Sequence, residues 1–273
     1  MKHIAANGLN HAVRDVGEGP AVVLLHGFPD TSSMWEPQIE LLSQAGWRAI
    51  APDLRGRGQT EMPAQLADYT IPNIVGDVTA IMDELGVERA HVVGHDWGAV
   101  IAWALAAYAP QRVEKLVVLS VGHPGASGGP SLEALQKGWY RLLFQFDSAE
   151  DILRRNDWAM LRVMLEGQTE FEQHRNVLAA PGALTAGINW YRANMPPERL
   201  MADGPTMPEV QAATFGLFGG RDPYLTEQAM AQSATKVTGE WRYELFADAG
   251  HWLHIDEPER FNQLLLEFLG APG

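Results

Sequence analysis

Apolar runs of strand length recur at Ala21 to Leu25, Arg48 to Ala51, Ala90 to Val93, Lys115 to Ser120, Thr214 to Phe218 and Trp241 to Phe246. Their length and composition read as buried strands. Between them the period changes to that of helices. Pro72 to Leu85 has helical spacing and stops at Gly86, Ala99 to Tyr108 stops before Pro110, and Pro258 to Leu269 stops before Gly270, as Gly and Pro end helices. Strands alternating with helices predict an α/β fold, a mostly parallel, doubly wound sheet with helices on both faces. From about His123 to Pro208 the rhythm stops. The Gly/Pro-rich tract 123–130 leads into helix-like segments such as Leu132 to Phe146 and Ala149 to Glu166, without a strand pattern. The expected organisation is a core of residues 1–122 and 209–273, with a helical cap, 123–208, inserted between two strands at the sheet edge where such folds carry ligand sites.

Composition narrows the function. Of 273 residues 46% are hydrophobic, enough for a sizeable core. Lys and Arg number 20 against 34 Asp and Glu, and the resulting net charge of −14 repels nucleic acid and anionic membranes. The longest apolar run, Gly98 to Ala109, is too short to span a bilayer, and the first residues carry no signal-peptide core. A cytoplasmic protein is expected, monomer or homodimer. The absence of cysteine excludes disulfides and thiolate chemistry, so a nucleophile must present oxygen or nitrogen.

The strongest local pattern is Val92-Val93-Gly94-His95-Asp96-Trp97-Gly98-Ala99, a strand, then G-x-D-x-G, then an apolar helix. It is the nucleophile-elbow pattern with Asp where Ser is usual. Gly94 and Gly98 permit a tight strand-to-helix turn, and the helix N-terminus favours an anion at the central position. A lone Asp there could serve as a helix cap, but capping does not require both glycines. A carboxylate attacks saturated carbon without help from a base and leaves an ester. Hydrolysing that ester requires a base, a group to orient it and N–H donors for the oxyanion. His251, after the last strand in Asp248-Ala249-Gly250-His251-Trp252, is the candidate base. Asp222, in Gly219-Gly220-Arg221-Asp222-Pro223, is the candidate orienting carboxylate. The backbone amides of Phe28, in His26-Gly27-Phe28-Pro29, and of Trp97 are the candidate oxyanion donors.

HGFPD, PDLRGRGQT, VGHDWGA, GGRD and DAGHW recur in an order that resembles the α/β-hydrolase superfamily and, within it, the epoxide hydrolases, over essentially the whole chain. The resemblance implies a cofactor-independent enzyme, without metal, that turns an apolar epoxide and water into a vicinal diol. The segments around Tyr140 and Tyr191 are similar to those bearing the two lid tyrosines of that family. These phenols are the expected acids for the ring oxygen, which leaves as a poorly stabilised alkoxide. Phe28, Trp97, Trp190 and Trp252 are expected to line the pocket. Met160, Met164, Met195 and Met201 in the cap fill gaps in the core or line an adaptable pocket.

The same pattern resembles haloalkane dehalogenases, in which Trp97 and a cap tryptophan (Trp139, Trp158 or Trp190) would hold the leaving halide. Phe28 stands where one group of those enzymes has Asn. Haloacetate dehalogenases have Arg after the nucleophile, where this chain has Trp97. A ligand-sensing protein on the same fold is the third reading. His95 and His254 lack metal-ligand spacing, and DLRGRG (53–58) lacks the order of a dinucleotide site.

Overall fold

The computed structural model of the protein describes residues 1–126, 131–165, 171–199 and 206–272. Residues 127–130 of the Gly/Pro tract, Glu166 and Met201 lie outside the described residues. Eight strands form one sheet: β1 (Lys2–Ala6), β2 (Leu9–Val16), β3 (Ala21–Leu25), β4 (Arg48–Pro52), β5 (Ala90–His95), β6 (Val113–Leu119), β7 (Ala213–Gly219) and β8 (Trp241–Phe246). Their spatial order is β1-β2-β4-β3-β5-β6-β7-β8, antiparallel at β1–β2 and β2–β4 and parallel from there on.

The six expected strands are present, and every residue of β3 and β5 is buried. That is what covering both faces of a parallel sheet does to its central strands. β1 and β2, which precede the first expected strand, are an addition. They form an edge hairpin with residues on exposed and buried faces, so they carry no continuous apolar run. Their turn is Asn7-Gly8, both with positive φ (47° and 78°), a pairing suited to a two-residue hairpin.

Between strands lie α1 (Glu36–Gln44), α2 (Ile71–Glu84) and α3 (Trp97–Tyr108). α3 is apolar almost all round and buried through its first ten residues, as a helix enclosed by the core must be. It starts two residues earlier than its periodicity indicates, directly after Asp96. Between β6 and β7 the described residues hold α4 (Leu132–Lys137), α5 (Trp139–Leu143), α6 (Ala149–Met164), α7 (Phe171–Ala179) and α8 (Ala183–Asn194). The segment expected as one helix from Leu132 to Phe146 is broken at Gly138. α6 leaves helical geometry at Arg155–Trp158, where Asn156, Asp157 and Trp158 take positive φ. After β7 come α9 (Glu227–Gln232), α10 (Leu253–Asp256) and α11 (Pro258–Leu269), the last burying Phe261, Leu265, Phe268 and Leu269 on one face. Among the described residues no helix is long and apolar enough to cross a membrane.

A buried ionic knot ties the hairpin to this framework. Asp77 on α2 accepts two hydrogen bonds from Arg55, at 2.7 and 2.6 Å, and one from the Asn7 amide at 2.8 Å. Arg55 follows β4, and its carbonyl accepts the Trp190 indole N–H of α8 at 3.0 Å. The knot therefore reaches from the hairpin turn to the helices beyond β6. Asp77→Ala would strand a buried guanidinium. It is expected to cost about 3–5 kcal/mol in urea unfolding, the usual penalty for breaking a buried pair on one side. A loss below 1 kcal/mol would show that water reaches Arg55.

Candidate active site

The carboxyl ends of β3, β5, β6, β7 and β8 converge on Asp96. Asp96 has φ 52° and ψ −120°, a strained conformation for a residue with a side chain. Three glycines make the turn possible. A Cβ on Gly98 would run into the Leu25 carbonyl, one on Gly94 into the Gly98 carbonyl, and one on Gly27 into the Asp96 side chain itself. The turn at Asp96 and the loop after β3 thus approach closely because neither carries atoms in the way.

The Phe28 amide donates to Asp96 Oδ1 at 2.9 Å. Trp97 is the first residue of α3, so its amide has no partner four residues back within the helix. On the other side, His251 Nε2 stands 3.6 Å from Asp96 Oδ2, and His251 Nδ1 is 2.7 Å from Asp222 Oδ2. The second Asp222 oxygen accepts the amides of Tyr224 at 2.7 Å and Leu225 at 3.0 Å. Asp222 is thereby fixed by its own turn and can hold the imidazole in one tautomer. The His251 carbonyl is held as well, by His95 Nε2 at 3.0 Å and Ser120 Oγ at 2.8 Å.

Electrostatics divides these groups sharply. Burial disfavours the Asp96 carboxylate, but the His251 ring, the His95 ring and the Phe28 amide more than offset it, leaving its pKa below the usual value. Burial likewise disfavours the His251 imidazolium, and the flanking carboxylates Asp222 and Asp96 reverse the balance, pushing the ring up to about 10. His95 goes the other way. Burial and the neighbouring His251 lower it to about 4, so it is neutral. The resting site is an ion pair, Asp96 with protonated His251.

Tyr140 and Tyr191 are both buried in an aromatic shell over this pair. Their rings lie 5.8 Å apart, edge to face, and Tyr191 stands 5.1 Å from the Trp97 ring and 5.6 Å from Phe28. Burial foremost, then the Asp96 charge and Tyr140, raises the Tyr191 pKa well above normal. Burial also raises that of Tyr140, with the adjacent Arg141 opposing it. Both phenols keep their protons at neutral pH.

Trp190 packs 5.7 Å from Trp97, its N–H committed to the Arg55 carbonyl. Trp252 is buried with its N–H on Asp30 Oδ2 at 2.9 Å, 4.8 Å from the His251 ring. Trp139 is 44% exposed, and Trp158 is buried. Sequence patterns did not point to Tyr224, whose ring lies 5.1 Å from His251 and whose hydroxyl bonds the Met164 carbonyl, or to Ser120 and Asp30. A Tyr two residues after Asp222 was the available signal for the first. The other two reveal themselves only through contacts distant in sequence. His254 stacks on Trp35 at 4.7 Å, a packing position. Among the described residues no group of three or more His, Asp or Glu is arranged to hold a metal ion.

A family model described as alpha/beta hydrolase fold matches residues 20–258. An AB hydrolase superfamily protein of Bacillus subtilis is 32% identical over 97% of this chain and 96% of its own length. Epoxide hydrolase A of Mycobacterium tuberculosis is 30% identical over 97% of this chain and 96% of its own. The crystal structure of Bacillus megaterium epoxide hydrolase in complex with an inhibitor superposes with a TM-score of 0.88 at 25% identity, covering 98% of this chain and 99% of that one. A match of that span at those identities makes the chain a member of the α/β-hydrolase fold family, among the epoxide hydrolases.

Proposed function

We propose that the protein is an epoxide hydrolase that opens a small apolar epoxide through an ester on Asp96 and hydrolyses it to a vicinal diol, with no cofactor, in the cytoplasm. The observation that carries the reading is the unbroken string from the Phe28 amide through Asp96 and His251 to Asp222, roofed by two protonated tyrosines. The relatives named epoxide hydrolase support it. In this reading residues 1–122 and 209–273 are the catalytic core, and 123–208 form the cap that supplies Tyr140 and Tyr191.

The proton inventory closes. Asp96 Oδ2 attacks a ring carbon while Tyr140 and Tyr191 donate hydrogen bonds to the ring oxygen, and the alkoxide gains a proton as the C–O bond breaks. Esterification removes one of the two negative charges that hold the His251 proton. The imidazolium then becomes acidic enough to release it, the net source of the proton on the new hydroxyl. Neutral His251, oriented by Asp222, next deprotonates a water that attacks the ester carbonyl. The amides of Phe28 and Trp97 receive the oxyanion. Expulsion of the diol restores the Asp96 carboxylate and protonated His251, the starting pair. Phe28, Trp97, Trp190 and Trp252 supply the apolar walls.

Halide displacement fits less well. The Trp190 N–H is already bonded, and Phe28 offers no side-chain donor for a leaving halide. With styrene oxide and 1-bromohexane supplied together, the expected products are diol and no bromide. Asp96→Ala should abolish the diol. Bromide without diol would sink the proposal. His251→Gln should accumulate protein heavier by one styrene oxide in intact-mass spectra, and an unmodified spectrum would argue against an ester. Tyr191→Phe should slow ester formation by about 10²–10⁴-fold, the usual contribution of a positioned acid.

The pH dependence separates the two steps. The Asp96 pKa lies low and that of His251 at about 10, so the reactive ion pair persists across the neutral range and single-turnover ester formation should be flat there. Ester hydrolysis needs His251 neutral. Its rate should rise with pH and level off well below pH 10, because the ester no longer carries the Asp96 charge. A hydrolysis limb still climbing at pH 10 would mean that esterification does not relieve the histidine.

A further inference from the structure

The chain leaves β6 through a strained residue. Ser120 has φ 69°, and the Val121 amide bonds back to the Leu119 carbonyl at 2.9 Å, so Ser120 is the middle residue of a γ-turn of the rare, positive-φ kind. Glycine would sit there without strain, yet the position holds a serine. Both of its donors are used. The Ser120 amide bonds the Leu217 carbonyl of β7 at 2.9 Å, and its hydroxyl, buried with the rest of the residue, bonds the His251 carbonyl at 2.8 Å. His95 Nε2 meets the same carbonyl at 3.0 Å. Both lone pairs of that oxygen are therefore occupied, one by the last residue of β5 and one by the residue that follows β6.

The His251 ring stands unequally between its two carboxylates. Nδ1 is 2.7 Å from Asp222 Oδ2, whereas Nε2 is 3.6 Å from Asp96 Oδ2. Charged N–H and carboxylate groups that are free to meet close to about 2.7–2.9 Å. Attraction across the longer gap draws His251 toward Asp96, and a fixed main chain must resist it. We infer that Ser120 is a positioning residue for the base: with His95 it clamps the His251 carbonyl and keeps the imidazole standing off from Asp96. Resting on the ester mechanism proposed above, this role belongs to its second step, in which a water must fit between Nε2 and the ester carbonyl. The first step asks only that Asp96 be charged, so a loosened His251 leaves it unchanged. The second depends on alignment, where a misplacement of about 1 Å can cost about 100-fold. Strain at a residue with a side chain persists where its surroundings over-determine it, and here the hydroxyl gives the strained position a task that glycine could not perform.

Ser120→Gly removes the hydroxyl and relieves the turn, while Ser120→Ala removes the hydroxyl alone. In single turnovers of styrene oxide followed by intact-mass spectra of quenched samples, both variants are expected to form the ester at the wild-type rate. Both should hydrolyse it about 10- to 100-fold more slowly. Ser120→Gly should nevertheless unfold in urea at no lower concentration than the wild type, a combination that a merely structural serine would not give. The low-field proton NMR resonance of His251 Nδ1–H, read in the resting protein without substrate, should shift in both variants as the ring moves between its carboxylates. Equal slowing of both steps, hydrolysis at the wild-type rate, or an unmoved resonance would overturn the assignment. A wild-type protein that forms no ester would refute the proposed chemistry instead, and the resonance, which needs no epoxide, then decides the clamp by itself.

Discussion

A side-chain-bearing residue forced to a positive φ between a buried strand and a buried helix is the constraint around which the rest of the site is organised. Asp96 cannot relax, because β5 and α3 are locked on both sides of it. The price of about 1–3 kcal/mol for such a conformation is tolerable only in an environment that over-determines it. The glycines at 94, 98 and 27 supply that environment by letting backbone approach where a methyl group would collide. The loop after β3 then comes near enough for the Phe28 amide to meet Asp96 Oδ1 at 2.9 Å. One oxygen is thereby committed to the Phe28 amide, and the other is left toward His251.

From this turn the charges follow. An anion held in a buried site demands a counter-charge, and His251 supplies it because Asp222, with both oxygens already hydrogen-bonded, cannot rotate away. The same pairing that stabilises the resting enzyme would disable a base. Alkylating Asp96 removes one of the partners, so in the proposed cycle the first chemical step itself prepares the histidine for the second. Neutral His95 fits this logic. With its pKa near 4 it anchors the His251 backbone without adding a competing charge beside the imidazolium.

What was legible in the sequence reflects how local each signal is. β3 and β5 read as uninterrupted apolar runs because both faces of each are covered. The elbow was legible because its glycines must sit two residues either side of Asp96. The hairpin β1–β2 was not found from apolar runs, since an edge hairpin with one face solvated has none. Its Asn7-Gly8 turn was the signal to use. The breaks at Gly138 and at Asn156–Trp158 interrupt helices whose periodicity continues across them. Ser120 and Asp30 were unreadable as site neighbours. Their relevance arises from partners more than 20 residues away, and nothing in their immediate surroundings differs from an ordinary strand end or turn.

The helices beyond β6 are fastened to the sheet side by polar bonds as well as by aromatic packing. The Trp190 N–H reaches the Arg55 carbonyl, and Asn194 bonds the Ile71 amide and the Tyr69 carbonyl at 2.9 and 2.8 Å. Gln173 reaches Ser33 at 2.9 Å, and the Tyr224 hydroxyl meets the Met164 carbonyl. Three of these bonds lie within four residues of Tyr191, on the same helix. The position of that phenol is therefore set by the loop after β4 and the start of α2 as well as by the helices beyond β6. Arg55 is in turn held by Asp77, so the knot that secures the N-terminal hairpin also bears on the distance between Asp96 and Tyr191. Stability and geometry share one chain of contacts here, and a substitution far from the pocket can alter the chemistry through it without touching a reacting group.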